Sequence, residues 1–344
     1  MSRLAKISGL GQQIWLDNLT RGLLERGELA RWIATDAIAG VTSNPAIFYN
    51  ALQNDPTYAT DLARVRMETK DVEARFEALA LPDVQRACDL LRPLHEATRS
   101  ESGFVSFEVS PALARDVAGT LAAARRLWRA IGRPNAMIKI PATPEGITAL
   151  ETAIAEGISV NVTLIFSLAQ LAAVQAAHRR GLEARVARGE SLTGLASVAS
   201  VFISRVDSLL DPLLPPVLQG KTAIALARVA YARWRAQPPL PQGASPQRLL
   251  WASTSSKNPA YRDVLYVEEL IGADTINTVP DATLAAFRDH GEARLTLTDA
   301  QEAEAILDAV TAAGIDLEAT GEKLLQAGLA QFAEAFAKLL TLMR

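Results

Sequence analysis

Asn135-Ala136-Met137-Ile138-Lys139-Ile140-Pro141-Ala142 is the stretch on which the reading of this chain turns. Apart from the lysine, its centre is apolar on both faces. That is how a strand reads when it lies between a core and covering helices. Side chains alternate along a strand, so Ile138 and Ile140 are expected to face helices and Lys139 the centre of the sheet. Comparable short runs precede it at 13–18, 38–44 and 103–110, and follow it at 158–166, 198–204, 248–254 and 274–279.

Between these runs the periodicity becomes helical. The segment 113–131 places Leu121, Ala124, Leu127 and Trp128 at helical spacing, and 167–181 does the same with Leu168, Leu171, Val174 and His178. Strand–helix alternation argues for a parallel sheet, and eight repetitions argue for closure. The expected fold is α/β, a (β/α)8 TIM barrel occupying 1–344 as a single domain. Additional helices are expected after strand 2 (45–102), after strand 6 (205–247) and at the C-terminus (297–344). The second excursion is broken by Asp211-Pro212 and Pro215-Pro216 and leaves through a proline-rich stretch at 238–246. The tail reads as two helices split near Gly314. The last, 317–342, is amphipathic through Leu324, Leu325, Leu329, Phe332, Phe336 and Leu339.

Composition narrows the function. Hydrophobic residues make up 49% of the 344, enough for a sizeable core. A net charge of -3 gives no electrostatic reason to expect nucleic acid or an acidic membrane. Cys88 is the only cysteine, which rules out an intrachain disulfide and cysteine-rich metal sites. The first ten residues lack a signal-peptide pattern, and no apolar run approaches the ~20 residues of a membrane span, so a cytoplasmic protein is expected.

In such barrels chemistry gathers where strands end. Asp17 ends the first run, Asn44 the second, and Glu108 lies near the end of the third. Asn161 and Thr163 share a face of the fifth, as do Ser200 and Phe202 on the sixth, with Arg205 just beyond; Lys257 follows the seventh. Lys139 is the sharpest signal. Burial lowers an ammonium's pKa from about 10.4, and a neutral amine is the nucleophile that forms an imine with a ketone. The alternative is a lysine snorkelling to solvent from a strand edge. Asp17 and Glu108 are suited to moving the hydroxyl proton in aldol cleavage. Asp17 could instead cap a helix at 20–31, and Glu108 could pair with an arginine such as Arg115. Asn44, before Pro45, is equally consistent with turn chemistry. Asn161 and Thr163, inside a buried run, must find partners.

Other motifs fail on inspection. Gly220-Lys221-Thr222 resembles the end of a phosphate loop, but the required glycine is Pro215. Gly9 and Gly11 precede a strand instead of following one, so a dinucleotide fingerprint is absent. His95, His178 and His290 have no metal-ligand spacing, which argues against a zinc-dependent aldolase and for a covalent lysine.

These residues resemble the transaldolases, and within them the actinobacterial and cyanobacterial type, over nearly the whole chain. The resemblance rests on Ile14-Trp15-Leu16-Asp17-Asn18-Leu19, Thr42-Ser43-Asn44-Pro45, Ser106-Phe107-Glu108-Val109-Ser110-Pro111 and Met137 to Thr143. It continues through Ile158 to Phe166, Trp251 to Pro259, and Asn277-Thr278-Val279-Pro280. It implies that Lys139 is the Schiff-base lysine and Asp17 the acid–base carboxylate. Glu108 and Thr163 would hold a water that shuttles protons. Asn44, Asn161 and Ser200 would bind the dihydroxyacetone portion, and Arg205 the phosphate. Lys257 stands where many transaldolases have a second phosphate-binding arginine, which keeps charge and loses bidentate geometry. The implied partners are small-molecule sugar phosphates, with no nucleic acid, no membrane, no cofactor and no metal, in a monomer or homodimer.

In some relatives this barrel is fused to a phosphoglucose isomerase; a chain ending at Arg344 is expected to lack one. Related aldolases, which release free dihydroxyacetone, typically carry a glutamine and a tyrosine where this chain has Glu108 and Phe202. An ionised Glu108 accepting from the water, and a Phe202 without a hydroxyl, would favour transfer over release; the alternative for Phe202 is a plain core aromatic.

Overall fold

A computed structural model describes residues 2–298 and 300–344; Met1, at the head of the N-terminal stretch, and Asp299, within the tail, lie outside the described residues. Eight parallel strands close into a barrel in chain order: β1 (Gln13–Leu16), β2 (Ile38–Thr42), β3 (Phe104–Glu108), β4 (Ala136–Pro141), β5 (Val160–Ile165), β6 (Ser197–Phe202), β7 (Arg248–Ala252) and β8 (Ile276–Val279). All eight expected strands are present. β8 pairs with β1 through Gln13 and Ile276, which closes the ring.

The strands are shorter than their apolar runs because helix caps and prolines cut them. Asn44 has extended backbone and its side chain accepts from the Ile47 amide; Pro45 opens helix Pro45–Asn54. Proline lacks an amide hydrogen and holds its predecessor extended, so the helix starts there and β2 stops before it. Thr143 before Pro144 and Ser167 before Leu168 end β4 and β5 in the same way. The helix expected from 113 starts instead at Val117, capped by Asp116, because Pro111–Leu113 forms a separate 3-10 turn.

Period-two alternation sorts the inward side chains into two ends. Trp15, Phe104, Met137, Val198 and Ile276 surround the N-terminal end of the barrel. Two to four residues later on the same strands, Asp17, Lys139, Ser200, Phe202 and Thr278 line its C-terminal mouth. The buried Trp15 indole plugs the lower end, and only glycine fits across from it: a Cβ at Gly40 would stand 2.5 Å from the ring. Ile138 and Ile140 are fully buried on the opposite face, as expected, each worth about 1.5–3 kcal/mol of apolar burial.

The additional helices occupy the expected places. Pro45–Asn54, Ala59–Glu68 and Val72–Ala97 follow β2, Ser204–Leu210 and Thr222–Arg235 follow β6, and Ala300–Ala312 and Leu317–Leu342 form the tail. The C-terminal helix Leu317–Leu342 packs on helix Pro45–Asn54 and on β5. It approaches closely at two glycines seven residues apart on one face. A Cβ at Gly321 would lie 2.7 Å from Ser167 Cβ, and one at Gly328 would lie 2.9 Å from Leu164 Cδ2. Leu164 has a φ of 62°, where the register between β5 and β6 shifts, so the helix seats on an irregular point of the wall. Among the described residues no helix is long and apolar enough to cross a membrane.

Candidate active site

A cavity of ≈ 440 Å³ opens at the C-terminal mouth. Asp17, Asn44, Lys139, Thr163, Ser200, Phe202, Arg205 and Lys257 all line it. Eight of the ten residues singled out from sequence therefore share one wall, although they come from six strands or their following loops. Glu108 reaches its base through Lys139.

Lys139 is buried, so it does not snorkel. Its Nζ donates to the Ser43 carbonyl at 3.1 Å and lies 3.7 Å from Glu108 Oε2. The register explains the grouping: Glu108 pairs with Lys139 and Lys139 with Asn161, so three polar residues sit abreast on adjacent strands. Glu108 does not pair with Arg115, which donates to Gln326 instead. Burial pushes the Glu108 carboxyl up to about 7; Lys139 opposes this and the nearby Asp17 reinforces it. Burial therefore works against the ionised Glu108 expected from sequence, and the neighbouring Lys139 works for it. Glu108 Oε2 and Thr163 Oγ1 are buried without a hydrogen-bond partner among protein atoms, a pair of sites suited to a shared water.

Asp17 is not a helix cap. The helix that follows, Arg21–Glu25, is capped by Thr20, whose side chain accepts from the Leu23 amide. Asp17 instead takes a hydrogen bond from Thr42 Oγ1 at 2.7 Å. Thr42 has one hydroxyl proton to give, so Thr278, 2.6 Å away, donates to Thr42. β1 lies between β2 and β8, so the two threonines reach Asp17's level from both neighbouring strands. Burial raises the Asp17 pKa above its ordinary value, while Lys139 and the Thr42 hydroxyl pull it down.

Asn44 combines both readings: its Oδ1 caps helix Pro45–Asn54 at 3.0 Å from Ile47 N, and the residue also lines the cavity. Asn161 differs from expectation. Its amide donates to Ser106 Oγ at 3.0 Å and accepts from Ser200 Oγ at 2.6 Å, and it is not part of the cavity wall. Its position inside the barrel lets two serines satisfy it, and Ser200 presents the surface in its place.

Arg205 lies over the Phe202 ring, 5.2 Å from guanidinium carbon to centroid. Among the described residues no carboxylate is paired with it, and burial lowers its pKa. Phe202 is thus both core and cavity wall, touching Phe166 on one side and Arg205 on the other. Lys257 is exposed and donates to Ser255 Oγ at 2.8 Å. A partly buried guanidinium without a counter-ion, in the same cavity as a second cation, is suited to hold an anion.

Four participants escaped the sequence reading: Thr42, Thr278, the Ser43 carbonyl and Phe332. The first three fall in quoted motifs, but their roles depend on contacts across the ring. Phe332 was legible only as part of an apolar helix face.

A buried lysine beside two carboxylates, with an unpaired arginine in the same barrel mouth, is an arrangement suited to imine-forming aldol chemistry on an anionic carbonyl compound. A family model described as Transaldolase/Fructose-6-phosphate aldolase matches residues 14–343. A protein of Neisseria gonorrhoeae named Transaldolase is 53% identical over 99% of both chains, and one of Thiobacillus denitrificans with that name is 50% identical over 97% of both. A Nostoc protein named Transaldolase 2 is 41% identical over 99% of this chain and 96% of its own. The chain belongs to the transaldolase family.

Proposed function

We propose that this transaldolase, acting as one barrel unit over 1–344, carries a dihydroxyacetone unit on Lys139 from a ketose phosphate to an aldose phosphate. The donors are fructose 6-phosphate and sedoheptulose 7-phosphate; the acceptors are glyceraldehyde 3-phosphate and erythrose 4-phosphate. This is the exchange of the non-oxidative pentose phosphate pathway. The setting is the cytoplasm and the assembly a monomer or homodimer.

The Lys139 amine adds to the C2 carbonyl of the donor, and loss of water leaves an imine. Asp17 takes the proton of the C4 hydroxyl, the C3–C4 bond breaks, and its electrons pass into the imine to give an enamine. The aldose phosphate departs. An acceptor aldehyde is then attacked by the enamine carbon, Asp17 returns the proton, and water frees the product from Lys139. Glu108 and Thr163 hold the water that serves imine formation and breakdown. Ser200, oriented by Asn161, and Asn44 position the three-carbon portion. Arg205 anchors the phosphate with help from Lys257. The observation that carries this reading is Lys139, buried and 3.7 Å from Glu108, in the same cavity as the unpaired Arg205.

Transfer is favoured over release. Phe202 offers no proton donor to the imine, and the purified protein given fructose 6-phosphate alone is expected to form little free dihydroxyacetone. Adding an acceptor should greatly increase turnover. The deciding experiment is incubation with fructose 6-phosphate, reduction with borohydride and mapping of the modified peptide. An adduct on Lys139 is expected; one on Lys257 or Lys221, or none, refutes the mechanism.

A further inference from the structure

The cavity wall is built mainly from strand ends and the segments that follow them, including Ala46, Ile47 and Asn50 of helix Pro45–Asn54. Phe332 joins it from the C-terminal helix Leu317–Leu342. Its ring centroid is 5.7 Å from Lys139 Nζ, and the ring is only partly buried. The ring packs against the core and also presents its face to the Lys139 amine.

The helix is placed to hold it there. Gly321 and Gly328 let the helix backbone settle on Ser167 and Leu164, and Phe332 follows Gly328 by four residues, one turn along the same face. A Cβ at Gly328 would also stand 3.6 Å from Arg205 Nη1. The same helix therefore passes the proposed phosphate anchor at one turn and the reacting amine at the next.

We infer that Phe332 is a specificity-determining residue that roofs the Lys139 adduct and favours transfer over hydrolytic release. This rests on the Schiff-base reading above. Release requires two steps. A proton adds to the enamine carbon to regenerate the iminium, and water then adds to its C2 carbon, so that C–N cleavage yields dihydroxyacetone and the free amine. The apolar ring occupies space over the adduct from which water would deliver a proton to the enamine carbon, the step that release needs and that transfer replaces with attack on the aldehyde. An acceptor aldehyde, entering with its phosphate anchored at Arg205, approaches along the cavity and is not impeded.

The test compares wild type, Phe332→Leu and Phe332→Ala with fructose 6-phosphate, with and without erythrose 4-phosphate. The readout is the ratio of free dihydroxyacetone to transfer product. Phe332→Ala should raise that ratio about threefold or more, and Phe332→Leu in the same direction by less, because leucine leaves less of the adduct open to water. A structural role alone would lower both rates together and leave the ratio fixed; that result in both variants overturns the inference, as does a ratio that falls. Borohydride trapping on the wild type separates the two levels. Failure to label Lys139 refutes the mechanism itself, whereas labelling with an unmoved ratio refutes only the role of Phe332. Should Phe332→Ala fold poorly, the leucine variant, which preserves the apolar helix face, decides by the same ratio.

Discussion

Replacing Arg205 with alanine should separate function from stability. In the proposed complex the guanidinium gives two charge-assisted hydrogen bonds to the phosphate, each worth about 1.5–3 kcal/mol net. Losing both would cost about 3–6 kcal/mol. Lys257 lines the same cavity and takes up part of the charge, so the expected fall in kcat/KM for fructose 6-phosphate is about 100-fold. Fructose, which lacks the phosphate, should lose less than about threefold, since it never made those bonds. Lys257→Ala should cost only about fivefold, because an exposed ammonium contributes on the order of 1 kcal/mol or less.

The fold predicts the opposite for stability. Among the described residues Arg205 has no carboxylate partner, so its removal strands no buried charge. Loss of the contact with Phe202, about 0.5–1 kcal/mol, is offset by relief of desolvation. The Tm of Arg205→Ala should therefore stay within about 2 °C of wild type. Parallel kinetics with both sugars, together with thermal melts, suffice as the assay. Equal losses on fructose and fructose 6-phosphate, or a melting point lowered by much more than this, would refute the reasoning.

Asp17→Asn should lower turnover about 10²–10⁴-fold while borohydride still traps the sugar on Lys139; near-normal turnover would remove Asp17 from the acid–base role. Thr42→Val takes away a hydrogen bond that lowers the Asp17 pKa, so the acid limb of the pH–rate profile should move upward; an unmoved limb would show that Asp17 does not set it. Glu108 has a folded pKa of about 7 against an ordinary 4.5, so its protonated form favours the folded state. That contribution is complete below about pH 4.5 and lost as pH rises through 7. The stability of wild type relative to Glu108→Gln should accordingly fall by about 3 kcal/mol between pH 4.5 and 8, read from denaturant midpoints; a constant difference would contradict the assignment.

The barrel was legible because its strands are buried on both faces and leave continuous apolar runs, each interrupted only where a side chain faces the centre. Lys139 was visible for that reason: between Ile138 and Ile140 a cation has no packing role. Strand ends were less legible. The apolar runs continue past the last ladder bond, and it is the caps at Asn44, Thr143 and Ser167 that stop the strands. Asn161 was correctly read as needing partners, but whether a buried amide meets a substrate or two serines depends on β3 and β6, which lie on other strands of the sheet. Thr42 and Thr278 are 236 residues apart and meet only because the ring closes. Phe332 was hidden more deeply, since helical periodicity tells which face of a helix is apolar and not which part of the molecule that face will meet.

The seat of helix Leu317–Leu342 on β5 has a consequence for how the enzyme comes into being. All eight strands precede this helix in sequence, so on the ribosome the barrel can close while Lys139 and Arg205 still lack their roof. The nucleophile is then assembled before the surface that disciplines it. An intermediate of this kind would bind sugar phosphates yet leak the three-carbon fragment to water, and it would become a faithful carrier only when the final helix docks. On the proposed mechanism, catalytic competence and transfer fidelity would be laid down at different moments of synthesis.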